Sequence, residues 1–429
     1  MRHITKTLLT ALMAAATAAP AMAQGDDPDS YSKFRVGGYG EMLASFKGYG
    51  TNRFNGSTSG NTYMHRNTIA IPRFVIAGDY RFNRHWNVGA EIEFEAGGTG
   101  TAWEIENTEN GEWETEVEKG GEVALEQFHI TYTLDRRFNV RAGHMVLPVG
   151  LTNAHHEPIL FYGTSRPEGE TVIIPSTWHE TGLSIFGQVG SGYARFNYAA
   201  YVTAGLNANG FDRNNWAAGA KQGLFEVDNF TSPAYTARVE YVGVPGLRLG
   251  GTFYFCNNVG ANSDKPDQYT QYGRIPVRIV TVDAQYLHRY FAFRGNLMWG
   301  TLDKADKVSQ RNNRLGSSPY SSLTPVAKKA VSFGAEAGLN VRRFFNFRFP
   351  DIVPFVRYDY YNPQYTVPDG YTADKRLEVG MWTAGLNYKP LPYLVVKADY
   401  TTRRIGQGQY HRENEFAVGV AFTGWFWKK

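Results

Sequence analysis

Histidine, glutamate and arginine crowd residues 148–179, which hold His155, His156, Glu157, Arg166, Glu168, Glu170, Trp178 and His179. Imidazoles and carboxylates at this density could bind a metal, pass protons to a nucleophile, or set fixed charge beside a moving solute. A metal at His155-His156-Glu157 is disfavoured, because adjacent residues rarely converge on one ion. Hydrolysis would need an activated nucleophile or water, yet the chain has no G-x-S-x-G elbow, H-E-x-x-H helix or phosphate-binding G-x-x-x-x-G-K-[ST] loop. Fixed charge is the remaining chemistry.

A second set of charges is dispersed along the chain. Arg35, Arg73, Arg141, Arg195, Arg238, Arg248, Arg294, Arg357, Lys397 and Arg403 fall on the polar side of alternating segments. Planar guanidinium forks bind phosphate oxygens bidentately, so these residues would suit an anion path. The same faces carry Glu41, Asp79, Glu91, Glu93, Glu95, Glu240, Asp283, Glu336, Asp359, Asp399 and Glu415. Ten bases among eleven acids do not establish an anion path, and pairing across neighbouring strands is the simpler reading. Residues 97–122 add eight glutamates, Glu104 to Glu122, against Lys119. They read as a solvated loop, or as a divalent-cation or anion-repelling element at an entrance.

The elements that position these groups repeat with period two. In Trp86–Glu95 one face carries Trp86, Val88, Ala90, Ile92 and Phe94, and the other Asn87, Gly89, Glu91, Glu93 and Glu95. Such alternation marks a strand between two environments. Sixteen spans of this kind are expected: 33–46, 69–80, 85–96, 123–134, 138–147, 180–190, 192–203, 234–243, 247–257, 276–288, 290–302, 329–341, 351–361, 377–389, 393–404 and 414–426. Short turns such as Asn83-Arg84, Gly190-Ser191 and His288-Arg289 alternate with long polar loops, including 47–68, 97–122, 148–179 and 204–233.

Composition narrows the class. Mean hydropathy is −0.39, and past residue 23 no stretch approaches the ~18 apolar residues of a spanning helix. Aromatics at 15% argue against disorder. The single cysteine, Cys256, excludes a disulfide framework and reads as inert packing or lumen lining. Met1–Ala23 reads as an export signal, with Arg2 and Lys6, an apolar run Leu8–Ala19, Pro20, and Ala21-Met22-Ala23 at the cut. Removing the signal's two bases leaves 44 − 2 = 42 bases against 40 acids, too balanced for a nucleic-acid partner.

An exported chain of alternating strands, with loop lengths that also alternate, implies an all-β fold: a closed antiparallel transmembrane β-barrel of about sixteen strands spanning residues 33–427 after a short segment 24–32. Hydrocarbon supplies no hydrogen-bond partners, so the sheet must close, with an apolar exterior and a polar interior. At this size side chains alone cannot fill the lumen, and an aqueous channel is expected, with 148–179 folded inward to narrow it. The last strand ends in Trp425-Phe426-Trp427 before Lys428-Lys429, displacing the terminal aromatic that barrel assembly machinery reads.

Several segments resemble the phosphate-selective porin O and P family: Phe138–Gly150, Pro354–Tyr361, Gly385–Pro390 running on to Tyr400, and Gly37-Gly38-Tyr39-Gly40-Glu41. The resemblance implies a sixteen-stranded, trimeric outer-membrane barrel passing small solutes by diffusion, with anion preference in some members. The expected partners are outer-membrane lipid and small hydrophilic solutes or inorganic ions, phosphate among them, with no cofactor and no catalysis. The alternatives are a barrel hydrolase of protease or phospholipase type and a loop-based receptor or adhesin. Only about nine residues separate Ala23 from the first strand, too few for the plug of an energised transporter.

Overall fold

The computed structural model describes residues 32–50, 64–107, 113–222, 227–314, 323–345, 350–406 and 412–428; the expected export signal lies outside them. Seventeen strands join in one antiparallel sheet: β1 Phe34–Gly50, β2 Met64–Ala70, β3 Arg73–Arg81, β4 Trp86–Asn107, β5 Trp113–Thr133, β6 Asn139–Val146, β7 His179–Ser191, β8 Ala194–Thr203, β9 Ala234–Tyr241, β10 Leu247–Cys256, β11 Val277–Leu287, β12 Phe291–Leu302, β13 Lys329–Leu339, β14 Asp351–Thr366, β15 Val379–Leu391, β16 Leu394–Ile405 and β17 Arg412–Lys428. β1 pairs with β17 from Arg35↔Lys428 to Gly48↔Asn414, which closes the cylinder.

The strands occupy sixteen positions around the barrel. β3 covers the first half of β1, Phe34 to Gly40, and β2 the second half, Leu43 to Gly50. Between them stand Ile71 and Pro72. Proline has no N–H to give to a ladder, so the single expected span 69–80 is interrupted there. Residues 97–122 also depart from expectation. Residues 100–107 and 113–120 instead extend β4 and β5, paired from Gly100↔Gly120 to Asn107↔Trp113. Strand-forming Trp103, Ile105, Thr115 and Val117 are interleaved there with glutamates, and the density of charge had suggested a loop.

The outer face carries the apolar half of the alternation. Phe253, Phe291, Phe293, Leu297, Trp382 and Leu386 are each 40–52% exposed, which is the surface lipid would cover. No helix among the described residues is long and apolar enough to cross a membrane; crossing is by strands. Leu297→Arg, near the centre of β12, is expected to destabilise the inserted barrel by about 2–4 kcal/mol. Denaturant unfolding in lipid measures this, and an unchanged midpoint would mean that this face does not meet hydrocarbon.

Candidate functional site

Residues 147–178 leave β6, turn inside the barrel and return to β7. Two short helices organise the segment, α1 Leu151–Ala154 and α2 Glu168–Ile173. The Glu170 carboxylate ties them together by accepting from the N–H groups of Leu151 at 2.8 Å and Thr152 at 2.6 Å, and from Asn296 Nδ2 on β12 at 2.5 Å. Four N-terminal N–H groups of any helix lack internal partners; here a buried side chain from the second helix accepts from three of them, Leu151, Thr152 and Asn153. Burial pushes the Glu170 carboxyl up, while the backbone N–H donors oppose it.

Contacts along this segment reach most of the wall. Thr252 Oγ1 of β10 donates to Pro148 O at 2.7 Å. Arg294 of β12 donates to Leu160 O. Arg357 of β14 donates to Ser165 O, and Asn387 of β15 to Tyr162 O, each at 3.0 Å. Lys397 of β16 donates to Pro158 O at 2.5 Å and to Phe161 O and Gly163 O at 2.8 Å. Thr423 Oγ1 of β17 donates to Glu157 at 3.0 Å. Arg403 of β16 and Tyr361 of β14 donate to Glu168. Arg166 stays local, donating to Ser176 Oγ at 2.6 Å. At this depth the inward loop, residues 148–179, occupies part of the lumen that wall side chains alone leave open.

The two adjacent histidines point apart. His155 Nδ1 lies 3.0 Å from Leu151 O, and its Nε2 is 3.4 Å from Gln285. Burial, with Arg248, Arg294 and Arg238 nearby, pushes its pKa down to about 3, so the ring is neutral. His156 Nδ1 lies 3.0 Å from Asn153 O, and its Nε2 is 3.1 Å from the Glu126 carboxylate and 3.0 Å from the Tyr39 hydroxyl. Arg73 donates to His156 O at 2.7 Å. Burial opposes charge on His156, but the Glu126 carboxylate overrides it and lifts the pKa to about 9. Burial also raises the Glu157 carboxyl. Among the described residues no group of three His, Cys, Asp or Glu side chains is placed to hold a metal.

The wall bases stand beside acids on the same or nearby strands. Arg35 lies 2.6 Å from Asp79, Arg248 2.5 Å from Glu240, Arg294 3.1 Å from Glu336, Arg357 2.8 Å from Asp359, and Arg403 2.9 Å from Glu413. Arg238 grips Asp283 through both terminal nitrogens at 2.7 and 2.9 Å. Arg73 lies 3.6 Å from Glu41 and 3.5 Å from Glu93. Arg195, at the short-turn end, donates to Val242 O at 3.1 Å, and Arg141 to Thr131 Oγ1 at 3.0 Å. Glu91 accepts from Gln127 at 2.5 Å. A wall of opposite charges in contact is a strong field over short distances and a weak one along the axis.

A family described as phosphate-selective porin O and P matches residues 44–310 of this sequence. The chain belongs to that family. It is a channel protein of the bacterial outer membrane, and the solved structures it resembles share its fold. An anion-selective porin from Comamonas acidovorans superposes with TM-score 0.51 at 10% identity, covering 92% of this chain and all of that one. The outer-membrane channel DcaP of Acinetobacter baumannii gives 0.53 at 11%, over 91% and 97%. OmpF of Salmonella typhi, in complex with daunomycin, gives 0.53 at 11%, over 92% and 98%. In sequence, the porin is 26% identical over 379 residues to an uncharacterised protein of Aquifex aeolicus (strain VF5), covering 85% of this chain and 74% of that one.

Glu126 is the residue of the porin's loop attachment that alternation hides. Gln127 pairs with Glu91, but Leu125 pairs with Ile92, so Glu126 is an extra residue in a β-bulge. Strict alternation would put it outward with Phe128 and Ile130, which are 47% and 45% exposed. Instead it is fully buried against Tyr39 and His156. An acid at a position meant for lipid was the available signal. Across from His129, which lies on the bulged strand, Gly143 of β6 has φ +132, and a Cβ there would lie 2.2 Å from Phe128 O, so only glycine fits.

Proposed function

We propose that the porin passes small hydrophilic solutes and ions by passive diffusion, without strong preference for phosphate or other anions, as a homotrimer in which no reaction is catalysed. Residues 148–179, with His155, His156, Glu157, Arg166 and Glu168, form its constriction. Arg35, Arg73, Arg141, Arg195, Arg238, Arg248, Arg294, Arg357, Lys397, Glu41, Glu91, Glu93 and Asp359 line its wall. The observation that carries this reading is the pairing of wall arginines with carboxylates at 2.5–3.6 Å. An arginine already held by a carboxylate has fewer N–H donors for a phosphate, and its charge is offset. Trimeric assembly rests on the family resemblance.

Planar-bilayer recording tests it. Stepwise conductance is expected, with a reversal potential near zero across a tenfold salt gradient; full selectivity would move it by about 59 mV per decade for a monovalent ion. A silent bilayer from folded protein would remove the channel, whereas a reversal potential near the anion limit, with block by phosphate, would replace weak preference by anion selectivity.

A further inference from the structure

The inner wall changes character along three neighbouring strands. Reading from the short-turn end, β12 presents Arg294, Asn296, Met298, Gly300 and Leu302 inward, β11 presents Gln285, Asp283, Thr281, Ile279 and Val277, and β10 presents Arg248, Gly250, Thr252, Tyr254 and Cys256. In each the polar series gives way to an apolar one at the level of the inward loop. Tyr254, Cys256, Ile279 and Met298 are fully buried.

A packed cap covers them. The long connections after β8, β10 and β12 bring Leu206, Phe211, Trp216, Ile275, Val308 and Val326 into one core with that wall, all at 0% exposure. Trp216 Nε1 donates to Ala327 O at 3.1 Å. Asn312 Nδ2 donates to Phe211 O at 2.8 Å. Ala217 N donates to Ile173 O at 3.1 Å, which joins the cap to the inward loop. The Trp216 ring lies so close to the wall that a Cβ on Gly300 would be 2.3 Å from it. A dry, close-packed core admits neither water nor ions.

The opposite wall carries polar groups at several levels, with only small or aliphatic residues such as Val75, Ala77 and Ala124 between them. β4 carries Glu91, Glu93 and Glu95 on the inward face, and on β1 and β17 Ser45 donates to Glu415 at 2.5 Å. Below the inward loop on this side lies a small cavity of about 40 Å³, bounded by Glu91, Gln127, His129, Arg141, His156 and Glu157.

We infer that passage through the porin is off-axis: the cap and loop seal the β10–β13 side, and solutes cross in a slot between His156-Glu157 and the β4–β6 wall. Arg141, Glu91 and Glu157 then set charge preference, while the paired arginines of β9, β10 and β12 stand away from the route. The wall side chains of the slot, Glu91, Gln127, His129 and Arg141, are polar or charged and each under 10% exposed, so the passage is narrow and suits only small polar solutes. This rests on the channel reading above.

The native cysteine supplies half the test. Cys256 belongs to the sealed wall, so a charged methanethiosulfonate reagent applied to the folded wild-type channel is expected to leave both thiol and current untouched. His129→Cys places a thiol in the slot. The same reagent should then reduce the current of an H129C channel by half or more. Labelling of native Cys256 with loss of current would overturn the off-axis route, as would an H129C channel that is unlabelled or keeps its current. Absence of current before reagent would instead count against the channel itself; if only H129C is silent, Gln127→Cys repeats the measurement.

Discussion

Replacing Lys397 with methionine is expected to free the inward loop and raise single-channel conductance roughly twofold, with noisier open states, because the narrowest section governs flow. The Lys397 ammonium has three N–H donors, and each is taken by a loop carbonyl, of Pro158, Phe161 and Gly163. The Phe161 ring lies 4.2 Å from the same nitrogen. A hydrogen bond contributes roughly 0.5–3 kcal/mol net, and this one residue makes three of them to the loop. Methionine keeps the stem and loses the head. Barrel closure depends on the β1–β17 ladder and does not involve this nitrogen, so heat-modifiable gel mobility should match wild type. Unaltered conductance from a folded K397M barrel would mean that the loop holds its place without the clasp, and would remove it from the constriction.

Much of this architecture was legible in the chain, and most of what was missed lies in contacts between residues far apart in sequence. Alternation in segments such as Trp86–Glu95 identifies strands because lipid and lumen lie on opposite faces, and the sixteen expected spans coincide with strand positions, Pro72 dividing one of them. Alternation speaks only of neighbours, however. Lys397 meets carbonyls 234–239 residues earlier in sequence, a contact that exists only once the barrel has closed and the loop has turned in. The cap is invisible for the same reason: Phe211, Trp216 and Val308 sit in polar connections, and only their convergence makes a core. Pairing of arginines with acids was foreseeable in kind, since both share faces, but partner choice follows strand register, as with Arg238 and Asp283 across three strands. Glu126 escaped because a bulge breaks the period itself.

Another attachment of the loop, through His156, should respond to alkali. Both ring nitrogens of His156 face acceptors, the Asn153 carbonyl and the Glu126 carboxylate, so the geometry calls for the imidazolium. Arg73 from β3, Tyr39 from β1, Glu91 and Glu93 from β4, Glu157 beside it and His179 from β7 complete the field. With the folded pKa lifted to about 9, above the ordinary value of about 6.5, the sign is fixed. The stabilisation is complete below about 6.5 and declines above it; it is gone once the pH has passed about 9. Conductance and open-state noise are therefore expected to rise as the bath is taken from pH 7 to pH 10, and to return on neutralisation. Glutamine at 156 cannot be protonated in this range, so His156→Gln should show no such response. Glu126→Gln keeps a hydrogen-bond acceptor but removes the charge that raises the histidine, so its response should move to lower pH. Lysines also lose charge toward pH 10, and the pair of variants separates the two causes. A rise that persists in H156Q belongs to another group, and a flat wild-type profile would mean that the Glu126–His156 contact does not hold the loop.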